Sequence, residues 1–582
     1  MHNRTPADLF QRLPGHFRTR DAVEGRPLEA LMGVFREELG ILEQDIDQLY
    51  DNWFVETCEP WVLPYIAALV GATPMRDIGE DQAGLLRAYI ANVLQYRQAK
   101  GTAAVVEQVA RDVSGWPVVA VEFFQRVATS QNVNHIRPMA PAFAHVRNAS
   151  ARISRSPFSA MAHSAAAGSP DGWAGRYNIP HLGLFVWRQS ASPIWPVEND
   201  AAGYLGGAQP PADTPDQGLL TFDPLGRDMP LVNRPAADLS IAARMTERSV
   251  PAPLLRDQVF TALNAARALG TTPGRWFEDA APFRVRLNGA EVEPVKLYCC
   301  NLEKATDGTW RRPANAGEVL VDPELGRLSL HPMDEGKAIE TGFAHATSFD
   351  IGGGAYDRRT SLEKWLPDFV IEGEPPVWQI GVCKIDGTAT DDPLQGGPVV
   401  TTMREAVRRW NDFATEGSRG IITVLDNASY FEKLNAARRI LLPKGTRLAI
   451  VAAAWPVAEE GGGVKTRSPG QLSPMHRRPV LGGPVMIDAA DAGEDTAGSL
   501  VIDGLVIGGT ISARPGGDLG PLRLYNCTIG PKGSELEHGI ICTADNTRMS
   551  LVLDRCITAK VDLPHATGTI EVTRSIIGED LT

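Results

Sequence analysis

The chain has 582 residues, with 57 basic against 70 acidic side chains and a net charge of −13. At 43% hydrophobic and 22% charged residues, it can bury several cores, on the order of four at about 150 residues each, which excludes global disorder. The acid surplus leaves no basic face to displace counterions from phosphates, which argues against a nucleic-acid partner.

The first residues, Met1 to Asp8, are polar and no apolar h-region follows, so no secretory signal is expected. No run of about eighteen apolar residues suggests a membrane span. The cysteines (Cys58, Cys299, Cys300, Cys383, Cys527, Cys542 and Cys556) are odd in number and lack CxxC spacing. They read as reduced thiols in a protein made in the cytoplasm.

From Leu28 to Trp53, apolar residues fall at Leu28, Leu31/Met32, Phe35, Leu39, Leu42, Ile46, Leu49/Tyr50 and Trp53. Steps of three and four define one stripe of a long helix. Between them Arg36, Glu37, Glu38, Glu43, Gln44, Asp45, Asp47 and Gln48 form a solvated face, and Pro27 sits at the start. The stripe is expected to pack into the chain's own core; one so regular can also serve as a coiled-coil seam with another chain. A short apolar segment from Trp61 to Val70 follows, then a helix over 81–97. Thr102 is a candidate N-cap for a helix through Val105, Val106, Val109 and Val113, stopped by Gly115. The β-branched run Val118–Phe124 reads as a strand.

Three ordered features carry a resemblance: Leu13-Pro14-Gly15-His16-Phe17-Arg18, the long acidic helix, and Tyr96-Arg97-Gln98-Ala99-Lys100-Gly101-Thr102 before a helix and strand. Over about its first 125 residues the chain resembles the phage "tail protein I" family. The resemblance implies a wedge subunit of the baseplate of contractile tails and of related extracellular injection systems. It also implies the partners: a second wedge protein (baseplate J-like), hub and spike proteins, sheath or sheath-initiator proteins, tail fibres, and six-fold repetition in the particle. The assembly residues expected on this basis are Leu28, Phe35, Leu42 and Trp53 on the stripe, and Tyr96, Arg97, Gly101 and Thr102.

Residues 126–254 are rich in Ala, Pro, Gly and Ser, and 208–215 read as linker or extended arm, with Leu182–Trp187 a short strand within this region. Phe283, Val285 and Leu287 alternate before Asn288-Gly289, a hairpin signal. Val319–Leu330 reads as strand, turn, strand around Asp322-Pro323-Glu324-Leu325-Gly326-Arg327; that turn also resembles segments of injection-particle baseplate proteins.

Asp350-Ile351-Gly352-Gly353-Gly354-Ala355-Tyr356-Asp357-Arg358 lacks the Gly-Lys-Ser/Thr end of a phosphate loop and reads as a place where backbones pass closely. Residues 461–463 are a glycine triplet read as a flexible loop. His135, His145 and His163 lack ligand spacing, and no G-x-S-x-G elbow occurs. No catalytic residue, metal or cofactor is expected.

The carboxyl end is repetitive. Leu500–Ile507, Leu522–Ile529, Leu551–Thr558 and Ile570–Ile577 share one pattern, apolar-x-apolar, a polar turn, then a second strand. Stacking predicts one interior ladder of Leu500, Leu522, Leu551 and Ile570, a second of Ile502, Leu524, Leu553 and Val572, and a third of Leu505, Cys527, Cys556 and Ser575. Earlier coils are expected near Ile421–Val424 and Leu448–Val451. Thr582 follows a coil strand without an amphipathic cap, so either a partner covers that end or the natural chain continues. β-Helices also occur in enzymes that cut sugars. The fourth repeat position reads Asp503, Tyr525, Asp554, Thr573; the two acids lie two coil steps apart, about 10 Å at roughly 4.8 Å per step, at the edge of the range that chemistry needs, and turn-forming Asp is the simpler account.

The expected architecture is therefore multidomain α+β: a helical wedge-like domain (1–125), a loop-rich arm or linker region with short strands (126–282), a small β-rich domain (283–415) and a right-handed parallel β-helix (416–582). The expected role is a structural, non-enzymatic baseplate component that links hub, spike and sheath and transmits the contraction trigger. The alternative is a β-helical tail component that binds or cleaves surface glycans.

Overall fold

The computed structural model describes residues 10–72, 83–128, 133–134, 156–159, 161–164, 177–178, 181–194, 205–206, 218–235, 244–269, 281–306, 308–371, 373–384, 398–460, 464–491, 493, 496–514, 517–530, 539–542, 548–563 and 568–578. Helices accompany many strands, a large share of them in parallel sheets, so the protein is mixed α+β. The chain divides into one unit of Met1–Val186 with Asp238–Met245, and another of Trp187–Ala237 with Thr246–Thr582. Residues 208–215 and 461–463, His135 and His145 lie outside the described residues.

In the first unit α1 (Gly15–Val23) turns through Gly25 and Arg26 into α2 (Pro27–Asp51). Arg26 gives no side-chain cap; the cap comes from α1, where the buried Asp21 carboxylate accepts from Leu28 N at 2.6 Å and Glu29 N at 3.0 Å. An acid there also opposes the positive end of the helix dipole. α3 (Leu63–Leu69), α4 (Ala83–Gln98) and α5 (Ala103–Ser114) follow. Their core joins Cys58, Leu63, Ala67, Leu86, Ile90 and Val93. Strand Val118–Glu122 pairs antiparallel with Leu182–Val186, so the strand read inside the loop-rich region belongs to the first unit.

The second unit begins with two small sheets. Phe283–Leu287 and Ala290–Glu291 form the hairpin expected at Asn288-Gly289, with φ of 48° and 78°, the left-handed pair that a two-residue hairpin turn needs. Ile339–Thr347 lies against that hairpin on one side and against Ser190–Ile194 on the other. The second sheet orders Leu219–Thr221, Arg327–Leu330, Val319–Asp322 and Leu297–Cys299. In its turn Asp322 Oδ1 accepts from Glu324 N (3.1 Å) and Leu325 N (3.3 Å) and pairs with Arg256 Nε at 2.8 Å. Arg256 opens α6 (Arg256–Leu269). Between the sheets Phe222 meets Phe283 and Phe343 edge-on, centroids 5.7 and 5.8 Å apart. Three strands of these sheets, Ser190–Ile194, Leu205–Gly206 and Leu219–Thr221, come from 187–237, because backbone pairing partners are chosen in space rather than by local composition.

The rest of the second unit is a stack of parallel strands in three sheets that the chain visits in rotation. A full circuit runs Gly498–Asp503, Val506–Ile507 and Ile511–Ala513, and the next runs Leu519–Tyr525, Thr528–Ile529 and Ile540–Cys542. Two of the ladders read from sequence hold in register, Leu500–Leu522–Leu551–Ile570 and Ile502–Leu524–Leu553–Val572, but their last members Ile570 and Val572 are exposed rather than interior. Ile421 pairs with Ala449 and Ala449 with Val501, so the coils read near Ile421–Val424 and Leu448–Val451 belong to the same stack. Cys527 and Cys556 are fully buried free thiols, and burial raises the Cys556 pKa well above its ordinary value.

The stack begins before residue 416, since Trp378–Val382 and Val399–Val400 extend the same sheet. α7 (Arg359–Trp365) lies on the outside of the coils, and α8 (Met403–Phe413) covers their interior at this end. Thr402 caps α8 through Glu405 N at 3.2 Å. Met403, Ala406, Val407 and Trp410 enter the same apolar core as Ile422, Val424 and Leu448. At the other end Ile570, Val572 and Ile576 are exposed.

Candidate functional site

The helix that carries the expected assembly residues is bare. None of the described side chains of α2 is buried. Phe35, Leu39, Leu42, Ile46, Leu49 and Trp53 are exposed by amounts running from 43% at Leu39 to 83% at Trp53, and Leu28 is half-buried. Burial of this stripe in the chain's own core is therefore not what the structure holds. Periodicity shows that a face is apolar but not which molecule covers it. α2 ends at Asp51, two residues short of Trp53. Isolated exposed apolar residues are ordinary, whereas contiguous apolar patches are where proteins commonly dock; on α2 the exposed line of the stripe runs from Phe35 to Leu49.

The other four expected residues sit together at the α4–α5 corner, and each has a folding role there. The Tyr96 hydroxyl is buried and donates to Asp112 Oδ2, which also accepts from Asn92 Nδ2 at 2.9 Å. Burial, with Asp112 beside it, pushes the Tyr96 pKa up. Arg97 donates to Val70 O at 2.9 Å and to Gly71 O at 2.5 Å, which satisfies carbonyls at the end of α3. Gly101 turns with φ 91°, and the Thr102 hydroxyl accepts from Val105 N at 3.4 Å to cap α5. The corner fixes helix geometry, and α2 presents the free surface.

The glycine segment 350–358 lies along the turns of the stacked coils. Gly352 N donates to Arg555 O at 2.7 Å and Gly353 N to Thr528 Oγ1 at 2.9 Å, while Arg478 Nε donates to Gly353 O at 2.9 Å. A Cβ on Gly353 would stand 2.6 Å from Val506 Cγ2 and 2.8 Å from Leu505 O. Close backbone passage, not phosphate binding, accounts for the cluster. Gly353→Ala is expected to lower stability of the second unit by about 1–3 kcal/mol, read from urea midpoints; an unchanged midpoint would show that the segment gives way without cost.

Asp503, one of the two acids considered for glycan chemistry, is sealed. Its Oδ1 faces Arg358 Nη1 at 3.2 Å and accepts from Asn526 Nδ2 at 3.3 Å; its Oδ2 accepts from Ser361 Oγ at 2.6 Å and Trp365 Nε1 at 3.0 Å. Arg358 and Asp503 are both fully buried. A general acid or base must reach its substrate, and this carboxylate has four donors and no accessible surface. Asp554 Oδ2 is held by Lys364 Nζ at 2.6 Å. Among the described residues, no group of three His, Cys, Asp or Glu is placed to hold a metal.

No family model, curated protein or solved structure matches this chain. No helix among the described residues is long and apolar enough to cross a membrane. Arg358 and Asp21 hold the fold without having been assigned a role from sequence, and Asp503, read as a turn-forming residue, is the buried partner of Arg358. Asp21 had a signal, an acid shortly before an uncapped Arg26-Pro27 start. Arg358 had none, because its partner is 145 residues away.

Proposed function

We propose that this chain is a structural, non-catalytic wedge subunit in the baseplate of a contractile, phage-tail-like injection particle. The observation that carries the reading is α2, a 25-residue helix whose apolar stripe is half-buried at Leu28 and Met32 and exposed from Phe35 to Leu49. An exposed stripe of this kind serves a chain that completes its packing in an assembly. The resemblance of residues 1–125 supplies the assembly: a second wedge protein on the helix, with hub, spike and sheath or sheath-initiator proteins beyond it, in six-fold repetition. The three-sheet stack is best read as a right-handed parallel β-helix, since crossovers between parallel strands of one sheet are almost always right-handed. A stack of that kind serves as a stiff element or as a docking face for fibres. The particle is assembled in the cytoplasm in this reading. Binding of surface glycans at the stack remains compatible with the fold, whereas cleavage through Asp503 runs against the sealing of its carboxylate.

The test is affinity purification of the tagged full-length chain from its native cell, with mass spectrometry and negative-stain imaging. Sheathed rods carrying tube, sheath and spike proteins are the expected result. A chain that purifies alone, in cells that make such rods, overturns the proposal.

A further inference from the structure

The stripe on α2 has a stricter period than a globular face needs. Leu28, Met32, Phe35, Leu39, Leu42, Ile46, Leu49 and Trp53 follow one another in alternating steps of four and three. That is the 3.5-residue repeat of a left-handed supercoil, held within α2 from Leu28 to Leu49, with Trp53 just past the helix end. The positions beside the seam are Glu29, Arg36, Glu43 and Tyr50 on one side and Leu31, Glu38, Asp45 and Asn52 on the other. The whole helix carries seven acidic residues against the single Arg36. Nothing lies within 4 Å of a Cβ placed on Gly33 or Gly40, so the back of the helix is open as well.

We infer that the seam is filled by a helix of a different protein, one with an apolar heptad seam flanked by lysine or arginine, and not by a second copy of this chain. The inference rests on the reading of α2 as a docking helix and adds the partner's chemistry. Charge decides between the two occupants. In a parallel pair of copies, Glu38 of each helix faces Glu43 of the other across the seam. An antiparallel pair offsets an attraction between Arg36 and Glu43 by a repulsion between Glu38 and Asp45. Either arrangement also brings together two strongly acidic helices. A basic-flanked helix meets Glu29, Glu38, Glu43 and Asp45 with attraction and only Arg36 with repulsion.

The test uses the full-length chain with two synthetic four-heptad peptides of identical leucine and isoleucine seams, one with lysine and one with glutamate at every flanking position. Fluorescence anisotropy should show the lysine-flanked peptide binding at least tenfold more tightly. Added salt should narrow the gap, and the order should invert in the Glu38→Lys/Glu43→Lys/Asp45→Lys chain. The full-length chain alone should sediment as a monomer at micromolar concentration. Equal binding of the two peptides, binding of neither, or self-association abolished by Leu42→Asp each overturns the inference. Failure of the docking reading itself has a separate signature, which is normal particle assembly by a chain whose seam has been broken with aspartates.

Discussion

Replacing Arg358 by alanine is expected to destabilise the stacked region by about 3–5 kcal/mol, the usual cost of leaving one member of a buried ion pair alone. The guanidinium joins three separate stretches: it faces Asp503 and donates to Ala452 O and to Arg477 O, the last at 3.5 Å. Without it, Asp503 keeps its burial and loses the one cation paired with it among the described residues, since Ser361, Trp365 and Asn526 supply neutral donors. A second variant separates pairing from packing. Asp503→Asn with Arg358→Met removes both charges and is expected to cost less than either single change, because neither leaves an unpaired ion. Urea unfolding followed by the fluorescence of the buried Trp365 reads both. A midpoint shift for Arg358→Ala equivalent to less than about 1 kcal/mol would mean that the pair contributes little.

The opposite profile is expected for Leu39→Asp/Ile46→Asp. Both positions are exposed on α2, so the isolated chain should keep its stability to within about 0.5 kcal/mol. A partner helix would lose roughly 1.5–3 kcal/mol for each large apolar side chain no longer buried, and would also have to desolvate two carboxylates. Particle yield should fall more than tenfold by counts of sheathed rods, with soluble chain unchanged by circular dichroism. Rods at normal yield would remove α2 from the assembly.

The stacked coils were readable because each repeat must place like side chains over like. Leu500, Leu522 and Leu551 are paired in register and buried, and the polar turn after each strand holds the left-handed residues Gly504, Asn526 and Arg555. The α4–α5 corner was readable for a similar reason, since Gly101 and Thr102 do their work within a few residues of themselves. What surrounds the stripe of α2 was not readable, because an apolar face of a core helix and one of a docking helix share the same period. α8 was hidden within the stretch read as a small β-rich domain, although Thr402 and Glu405 form the local pattern of a capped start. The contact of Arg358 with Asp503 lay beyond any local rule, as did the pairing of Leu219–Thr221 with Arg327–Leu330, where partners are a hundred residues apart or more.

That long separation has a consequence for synthesis. Arg358 and Trp365 leave the ribosome well before the strand bearing Asp503, which lies 145 residues downstream of the arginine. At about 5–20 residues per second, the carboxylate arrives on the order of ten seconds later. During that interval Leu362 and Trp365 can already pack on Ile421, Ala449 and Val451 of the earlier coils, while the Arg358 guanidinium still lacks its carboxylate. The order of translation thus makes the coils a template on which an earlier segment closes last.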